Sequence, residues 1–177
     1  MIKTITMHAM SVGSFVSMLS SLSGILEKAE AHVGDDGAGL MGARLAEDMF
    51  PLSKQVQIAC DHSLDCVARL TGQASSRGLN DETTLAQLRA RIAETVARLQ
   101  AADPADFAGA EERACLIPLP GNMEAAMTGL ELLRGWSLPN IYFHIVTAYD
   151  ILRHAGVPIG KRDYLAAMGQ FMRPRAG

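Results

Sequence analysis

The chain has 177 residues, of which 49% are hydrophobic and 20% are charged, so it is too apolar to be intrinsically disordered and fits one domain spanning residues 1–177. Its net charge is −3 and its basic residues are scattered, which excludes a nucleic-acid-binding surface built to neutralise phosphates. Ala, Leu and Met are abundant while aromatic residues make up 5%, a balance that favours helices over sheets.

The first predicted helix runs from the N-terminal region to just before Gly34. Its apolar stripe recurs at alternating spacings of four and three residues and consists of His8, Val12, Phe15, Leu19, Leu22, Leu26 and Ala29. Serines interrupt the apolar run at regular positions, so we expect a helix of a cytoplasmic protein and neither a cleaved leader nor a membrane span.

A glycine-rich loop over residues 34–42 separates this helix from the second, which follows Pro51 and stops at Gly72. The inward face of the second helix is predicted to contain Leu52, Val56, Ala59, Ser63, Cys66 and Leu70. After a polar linker over residues 75–78, a third helix begins near Thr84, because Gln87 is placed to complete a capping box.

After the third helix, Pro118 and Pro120 exclude a helix over residues 114–127. The turn residues 120–122 between two short runs indicate a hairpin. The fourth helix opens around residues 137–140 and closes at Gly156. Four amphipathic segments with inward stripes predict an all-α, antiparallel four-helix bundle with a short hairpin-like excursion before the last main helix.

His144 is the best single candidate for chemistry. At ~100° per residue it lies about 60° from the centre of the apolar stripe of the fourth helix, so it points partly inward. A second ligand on the same face would stand four residues further on, and that position holds Ala148. His144 is therefore either a structural core histidine or a metal ligand or general base.

The other candidates are weaker. His62 precedes Cys66 by four residues and could form half of a metal site with it, although one His and one Cys are also a common coincidence. His8 continues the stripe of the first helix, where a structural role is the alternative. Asp61 and Asp65 share a face directed away from the core and are expected to be solvated acids.

Other motifs exclude several classes of protein. The three cysteines show no CxxC spacing, so the sequence predicts no disulfide framework or zinc knuckle. No HExxH, phosphate-binding loop or GxSxG elbow occurs, and nucleotide binding and triad hydrolysis have no support.

Three groups of motifs resemble a bacterial family of unknown function within the DinB/YfiT-like metalloenzyme superfamily. They occupy residues 7–12 with 19–22, residues 43–52 with 55–59, and residues 138–144 with 160–164. The resemblance extends over nearly the whole chain and implies a DinB-like bundle, often dimeric, whose relatives hold a divalent metal with three histidines. Those relatives include thiol-dependent transferases and isomerases.

The resemblance implies a divalent ion such as zinc or nickel; among the residues of this chain we expect His144 to be its ligand or a general base, with His62 or His8 converging on it. The superfamily pattern has one histidine on the second helix and an HxxxH pair on the fourth, and Ala148 departs from it. We therefore expect a DinB-like homodimer with an incomplete histidine triad, possessing either degenerate metal-dependent activity or no catalysis. In the second case the bundle would bind a small molecule or self-associate, with no nucleic-acid or membrane partner.

Overall fold

The computed structural model describes residues 5–34, 38–75 and 78–173. Parts of the two predicted loops, residues 35–37 and 76–77, lie outside the described residues. The long helices are α1 (Met7–Val33), α3 (Leu52–Thr71), α4 (Leu85–Gln100) and α6 (Leu138–His154). The shorter elements are α2 (Ala38–Met41), β1 (Ala114–Leu119), β2 (Met123–Thr128), α5 (Gly129–Glu131) and α7 (Lys161–Tyr164).

The ends of the helices follow the predicted signals. Helix α3 begins after Pro51 and ends at Gly72, whose left-handed conformation, with φ of 73°, costs glycine little. Helix α4 begins at the capping box that Thr84 and Gln87 form, in which each side chain bonds to the backbone of the other.

The core lies between the four long helices. Helix α1 packs chiefly against α4, and α3 packs chiefly against α6. The stripes predicted for the first two helices supply several of the largest fully buried side chains, namely Phe15, Leu19, Leu22, Leu26, Leu52 and Leu70, and α4 adds Leu88, Ile92 and Leu99. The chain is thus a mostly helical bundle, and helical periodicity predicted part of its core, whereas Ile25, Leu132 and Leu133 are buried outside the predicted stripes.

The all-α prediction was too simple, because the predicted hairpin is a regular two-stranded sheet. Strands β1 and β2 pair antiparallel, from Ala114 opposite Thr128 to Leu119 opposite Met123. The turn between them places Gly121 and Asn122 at positive φ, a conformation that Gly and Asn adopt readily. A sheet of two strands consists of edges only, so the prolines noted above do not interrupt an inner ladder.

Helix α6 continues from an unpredicted helical segment. A π-helical stretch over Leu132–Ser137 connects α5 directly to α6. Insertions of this kind change the direction in which the following side chains face and occur often at functional sites.

Of the helices in the described residues, α1 is long and apolar enough to cross a membrane by length and composition. Core helices of soluble proteins have the same properties. Here one face of α1 is buried against α3, α4 and α6, which is the arrangement of a core helix.

Candidate functional site

The candidate site lies where α6 crosses the first half of α3. The Nδ1 atom of His144 on α6 lies 2.7 Å from Oε1 of Gln55 on α3. The amide nitrogen of Gln55 donates a hydrogen bond of 2.9 Å to the carbonyl oxygen of Phe50. Because this bond uses the amide nitrogen, the amide oxygen accepts from His144, and the proton of a neutral imidazole is placed on Nδ1. The nitrogen left as an acceptor is Nε2.

His62 lies two turns along α3 from Gln55 and is the second histidine of the site. Its ring centroid is 6.1 Å from that of His144, with the ring planes inclined by 30°. Trp136, from the π-helical stretch before α6, lies 6.3 Å from the His62 ring. The ring of Phe143 meets His144 edge-on at 5.3 Å. Two imidazoles from different helices are therefore held together by aromatic neighbours.

His144 has an unusually low proton affinity. Its residue is 8% exposed, and this burial, together with the neighbouring His62, lowers the pKa of His144 from 6.5 to about 4. Burial acts in this direction because the imidazolium form loses its hydration when it leaves water. At neutral pH His144 is an uncharged acceptor.

A cavity of about 340 Å³ lies beside the two histidines. It is lined by Phe50, Lys54, Ile58, Asp61, His62, Asp65, Asn80 and His144. This volume lies at the lower end of the range of small-molecule sites, about 300–1,000 Å³. The arrangement can bind a small molecule and accept a proton or hydrogen bond from it.

The acidic residues of the site are not the solvated acids that the sequence predicted. Asp61 pairs with Arg91 at 2.6 Å, and Asp65 pairs with Arg69 at 2.7 Å. Burial by itself raises the pKa of Asp65, but hydrogen bonds from Arg69 and Ser75 outweigh it and lower that pKa below its ordinary value. Each carboxylate is thus already paired with a guanidinium, which makes it a poor ligand for a cation.

A second cavity, of about 420 Å³, lies on the other side of Asp61 between α3, α4 and residues 78–82. Arg91 lines it, and its side chain is only 10% exposed. The guanidinium bridges Asp61 and Glu82, with the Glu82 contact at 2.7 Å. This cavity contains neither histidine of the candidate site, and its polar groups stabilise the fold.

His8 does not join the other two histidines. Its ring meets Phe107 edge-on at 5.1 Å. The neighbouring Asp106 contacts Gln73, which follows the end of α3, whereas Gln55 lies in the first turn of that helix. His8 and His144 are therefore at opposite ends of α3.

The predicted partner of His62, Cys66, belongs to the core. It is 1% exposed, and burial raises the pKa of its thiol to about 12. A protonated, buried thiol does not bind a metal ion, because the ligand is the thiolate.

The residues present do not fit a three-histidine metal site. Among residues 5–34, 38–75 and 78–173, no group of three or more His, Cys, Asp or Glu side chains is placed to hold a metal ion. Ala148, which takes the position of the third histidine, is fully buried beneath His144. The structure brings His62 and His144 together and supplies no third ligand from this set.

Two residues of the site, Gln55 and Lys54, were not among the predicted site residues. Gln55 is 1% exposed, although it lies in the first turn of an amphipathic helix. A signal was available, since Gln55 and His62 are seven residues apart and so lie on one face of α3. The sequence alone does not say which side chain of another helix meets that face.

The chain is a helical-bundle protein in which a histidine of α3 meets a histidine of α6. Over residues 7–165 the chain matches the family described as domain of unknown function (DUF1993), and it belongs to that family. It is also similar to a DinB family member protein from Shewanella denitrificans, whose crystal structure superposes with a TM-score of 0.83. The two chains share 43% identity over 96% of this chain and 95% of the other. No curated protein sequence matches it.

Proposed function

We propose that the protein binds a small polar molecule in the cavity between α3 and α6, at a DinB-type site that has lost its third metal ligand. One observation carries this proposal: the bond from His144 to the fixed amide of Gln55 leaves Nε2 as an oriented, uncharged acceptor beside a cavity. Phe50 and Ile58 line the same cavity and provide the apolar wall that ligand sites need.

The chemistry of such a site follows from the tautomer. A bound O–H or N–H group can donate to Nε2 of His144, and the bond between Nδ1 and Gln55 keeps the ring in one orientation. An imidazole of this kind either anchors the ligand or acts as a general base toward it. His62 lies close enough to contact the same ligand.

Metal-dependent activity is a second candidate, favoured by the separation of 6.1 Å between the His62 and His144 rings. Gln55 would serve as the outer partner that orients a ligating imidazole. Catalytic zinc sites generally take three protein ligands, and this pair offers two. We therefore place the metal second.

The metal content of the purified protein separates the two candidates. The protein is prepared without a metal-affinity tag, and the parent is compared with His144→Ala and with His8→Ala as a control remote from the site. We expect zinc, nickel and iron well below one equivalent in all three. Near-stoichiometric metal that is lost in His144→Ala and retained in His8→Ala would reverse the order of the candidates.

Ligand binding is tested by screening small polar fragments while the histidine ring signals are followed by nitrogen-15 NMR. Fragments that occupy the site are expected to shift the signals of His62 and His144 and to leave that of His8 unchanged. Fragments that bind only elsewhere on the protein would contradict the proposal.

The predicted homodimer and cytoplasmic location stay predictions. Tyr142, Phe143 and Val146 form an exposed apolar strip along α6 that would suit a second copy of the chain. Sedimentation equilibrium of the parent and of a Val146→Lys variant tests this. A monomeric parent would exclude the dimer.

A further inference from the structure

The charges around the α3–α6 cavity do not balance. Its two carboxylates, Asp61 and Asp65, each have an arginine partner outside the cavity lining. Lys54 also lines the cavity, and within residues 5–34, 38–75 and 78–173 no carboxylate lies within ion-pair distance of its ammonium group. The cavity therefore presents one uncompensated charge, and that charge is positive.

The same end of the cavity coincides with the start of α3, where the carbonyl oxygen of Ala43 accepts a hydrogen bond of 2.9 Å from the amide of Leu52 but no side chain caps the helix. Pro51, at the capping position, provides no side-chain cap, and the first turn contains no acidic residue. Threonine side chains cap α1 and α4, by contrast. The first turn of α3 carries Lys54 instead, so a positive side chain adds to the positive end of the helix dipole. This arrangement is unfavourable unless an anion lies nearby.

A second, independent feature of the cavity is His144, which is more than nine-tenths buried. Its Nδ1 is occupied by Gln55, and no hydrogen bond from a described residue reaches its Nε2. Packing of His144 against the first turns of α3 brings this acceptor and Lys54 to the same cavity. A ligand there meets a cation at one side and a hydrogen-bond acceptor at the other.

We propose that the cavity takes a small carboxylate that also carries a hydroxyl group. The carboxylate is held by Lys54 and the start of α3, and the hydroxyl donates to Nε2 of His144. This inference rests on the proposed function and specifies the ligand class of the same site. The size of the cavity favours a compact acid over a long-chain one.

The inference is tested with three matched probes: lactate, propionate, which lacks the hydroxyl, and lactamide, which lacks the charge. Each is titrated into the parent near neutral pH while the ring signals of His62 and His144 are recorded. We expect lactate to bind most tightly, propionate more weakly and lactamide least. Inorganic phosphate, titrated in the same way, distinguishes a site for any anion from one for hydroxy acids.

Variants at Lys54 supply the second half of the test. A hydrogen bond to a charged group justifies an expected loss of about tenfold or more in lactate affinity for Lys54→Gln. Lys54→Arg keeps the charge and should retain binding, which also separates loss of the ligand contact from loss of the fold. Lys161→Gln removes an exposed lysine at the start of α7 and should bind as the parent does.

Four results would overturn the inference. Equal binding of lactate and lactamide, or unchanged lactate affinity in Lys54→Gln, would show that the site does not recognise an anion. Either result leaves the proposed small-molecule site intact. Phosphate bound as tightly as lactate would reject the hydroxy acid as the ligand class and would support a site for anions in general. A parent that binds none of these probes, but does bind neutral fragments at His144, also rejects the carboxylate without rejecting the proposed function.

Discussion

His144 combines burial with a hydrogen bond that fixes its ring. Its ring is buried, which favours the neutral form, and its Nδ1 proton is fixed by a hydrogen bond to Gln55. Together, burial and this hydrogen bond favour one tautomer and the uncharged form of His144 at neutral pH. The consequence is a site in which Nε2 is available in one state over a wide pH range.

The low pKa of His144 makes the stability of the protein depend on pH. The imidazole titrates near 6.5 in the unfolded chain and near 4 in the folded one. Between these values the unfolded state binds more protons, so stability is fully present above about pH 6.5 and falls as the pH drops toward 4. Each unit of difference corresponds to about 1.4 kcal/mol, so the loss amounts to a few kcal/mol.

Urea unfolding of the parent and of His144→Gln, at neutral pH and at mildly acidic pH, measures this effect. The free energy of unfolding of the parent should fall more steeply with acidification than that of the variant. Parallel curves for the two proteins would show that His144 is not the group responsible.

Gln55 offers a second prediction at the same scale. Gln55→Glu would place a carboxylate against Nδ1 of His144, and an adjacent negative charge favours the imidazolium. The pKa of His144 should therefore rise from about 4, as followed by NMR titration of its ring. Gln87→Glu makes the same chemical change in the capping box of α4, and it should leave the His144 titration unchanged.

The sequence predicted that His144 points inward but did not predict its partner. Periodicity establishes the face on which a residue lies, because the helix repeats every ~3.6 residues. The contact with Gln55 depends on how far α6 is displaced along α3, and that displacement is set by packing between segments 89 residues apart. The same reasoning explains why His8, on the correct face of α1, meets Phe107 instead of the other histidines.

Among the elements, the connection from β2 to α6 is the least predictable and the most tightly packed. Gly129 begins α5 directly beneath residue 110 and the end of α3. A Cβ atom added to Gly129 would lie 1.9 Å from the carbonyl oxygen of Ala110 and 2.9 Å from Cδ2 of Leu70. Neither neighbour can give way easily, since one is backbone and the other is a core side chain.

Gly129→Ala is therefore expected to destabilise the protein by about 1–3 kcal/mol or more, the cost of overpacking. Gly24→Ala is the matched control, because Gly24 lies exposed within α1 and an added Cβ meets nothing within 4 Å. That change should stabilise by about 0.5–1 kcal/mol, the helix propensity of Ala over Gly. Thermal and urea unfolding of both variants give the signs, and equal effects would contradict the proposed packing of α5.

Among the elements, the sequence predicted those helix ends that are determined by residues close to them in the chain. Gly72 marks the end of α3, and Thr84 and Gln87 mark the start of α4, because at these positions orphan backbone groups are satisfied within a few residues. The π-helical stretch over Leu132–Ser137 has no such marker. It depends on how the segment after the hairpin reaches α3.

For the molecule as a whole, the bundle follows from the apolar stripes, whereas the distribution of charge follows from the fold. Arg89 and Arg91 are two residues apart on α4 and each bridges two carboxylates, yet they face different surroundings. Arg89 contacts Glu27 and Glu30 across a solvated surface, with its side chain 32% exposed. The sequence pattern does not distinguish Arg89 from Arg91. The difference lies in how deeply each side chain is buried in the tertiary structure.

Arg91 ties the segment between α3 and α4 to both helices, because it bridges Asp61 of α3 and Glu82 of that segment. Its guanidinium also lies within 2.6–2.9 Å of the position that a Cβ on Gly78 would occupy, so the chain passes closely over it. Removing one partner of a buried ion pair leaves the other charge uncompensated, which costs about 3–5 kcal/mol.

We therefore expect Arg91→Gln to be strongly destabilising and Arg89→Gln to change stability by about 0–1 kcal/mol, as is usual for exposed pairs. In Arg91→Gln the amides of residues 78–82 should also lose protection from hydrogen exchange ahead of the helices, because this segment loses its anchor while the core is unchanged. Since Asp61 and Asn80 line the α3–α6 cavity, the same variant should weaken the ligand binding proposed there. Equal losses of stability in Arg91→Gln and Arg89→Gln would mean that burial does not make the Arg91 ion pairs stronger than those of Arg89. They would also mean that residues 78–82 are held by other contacts.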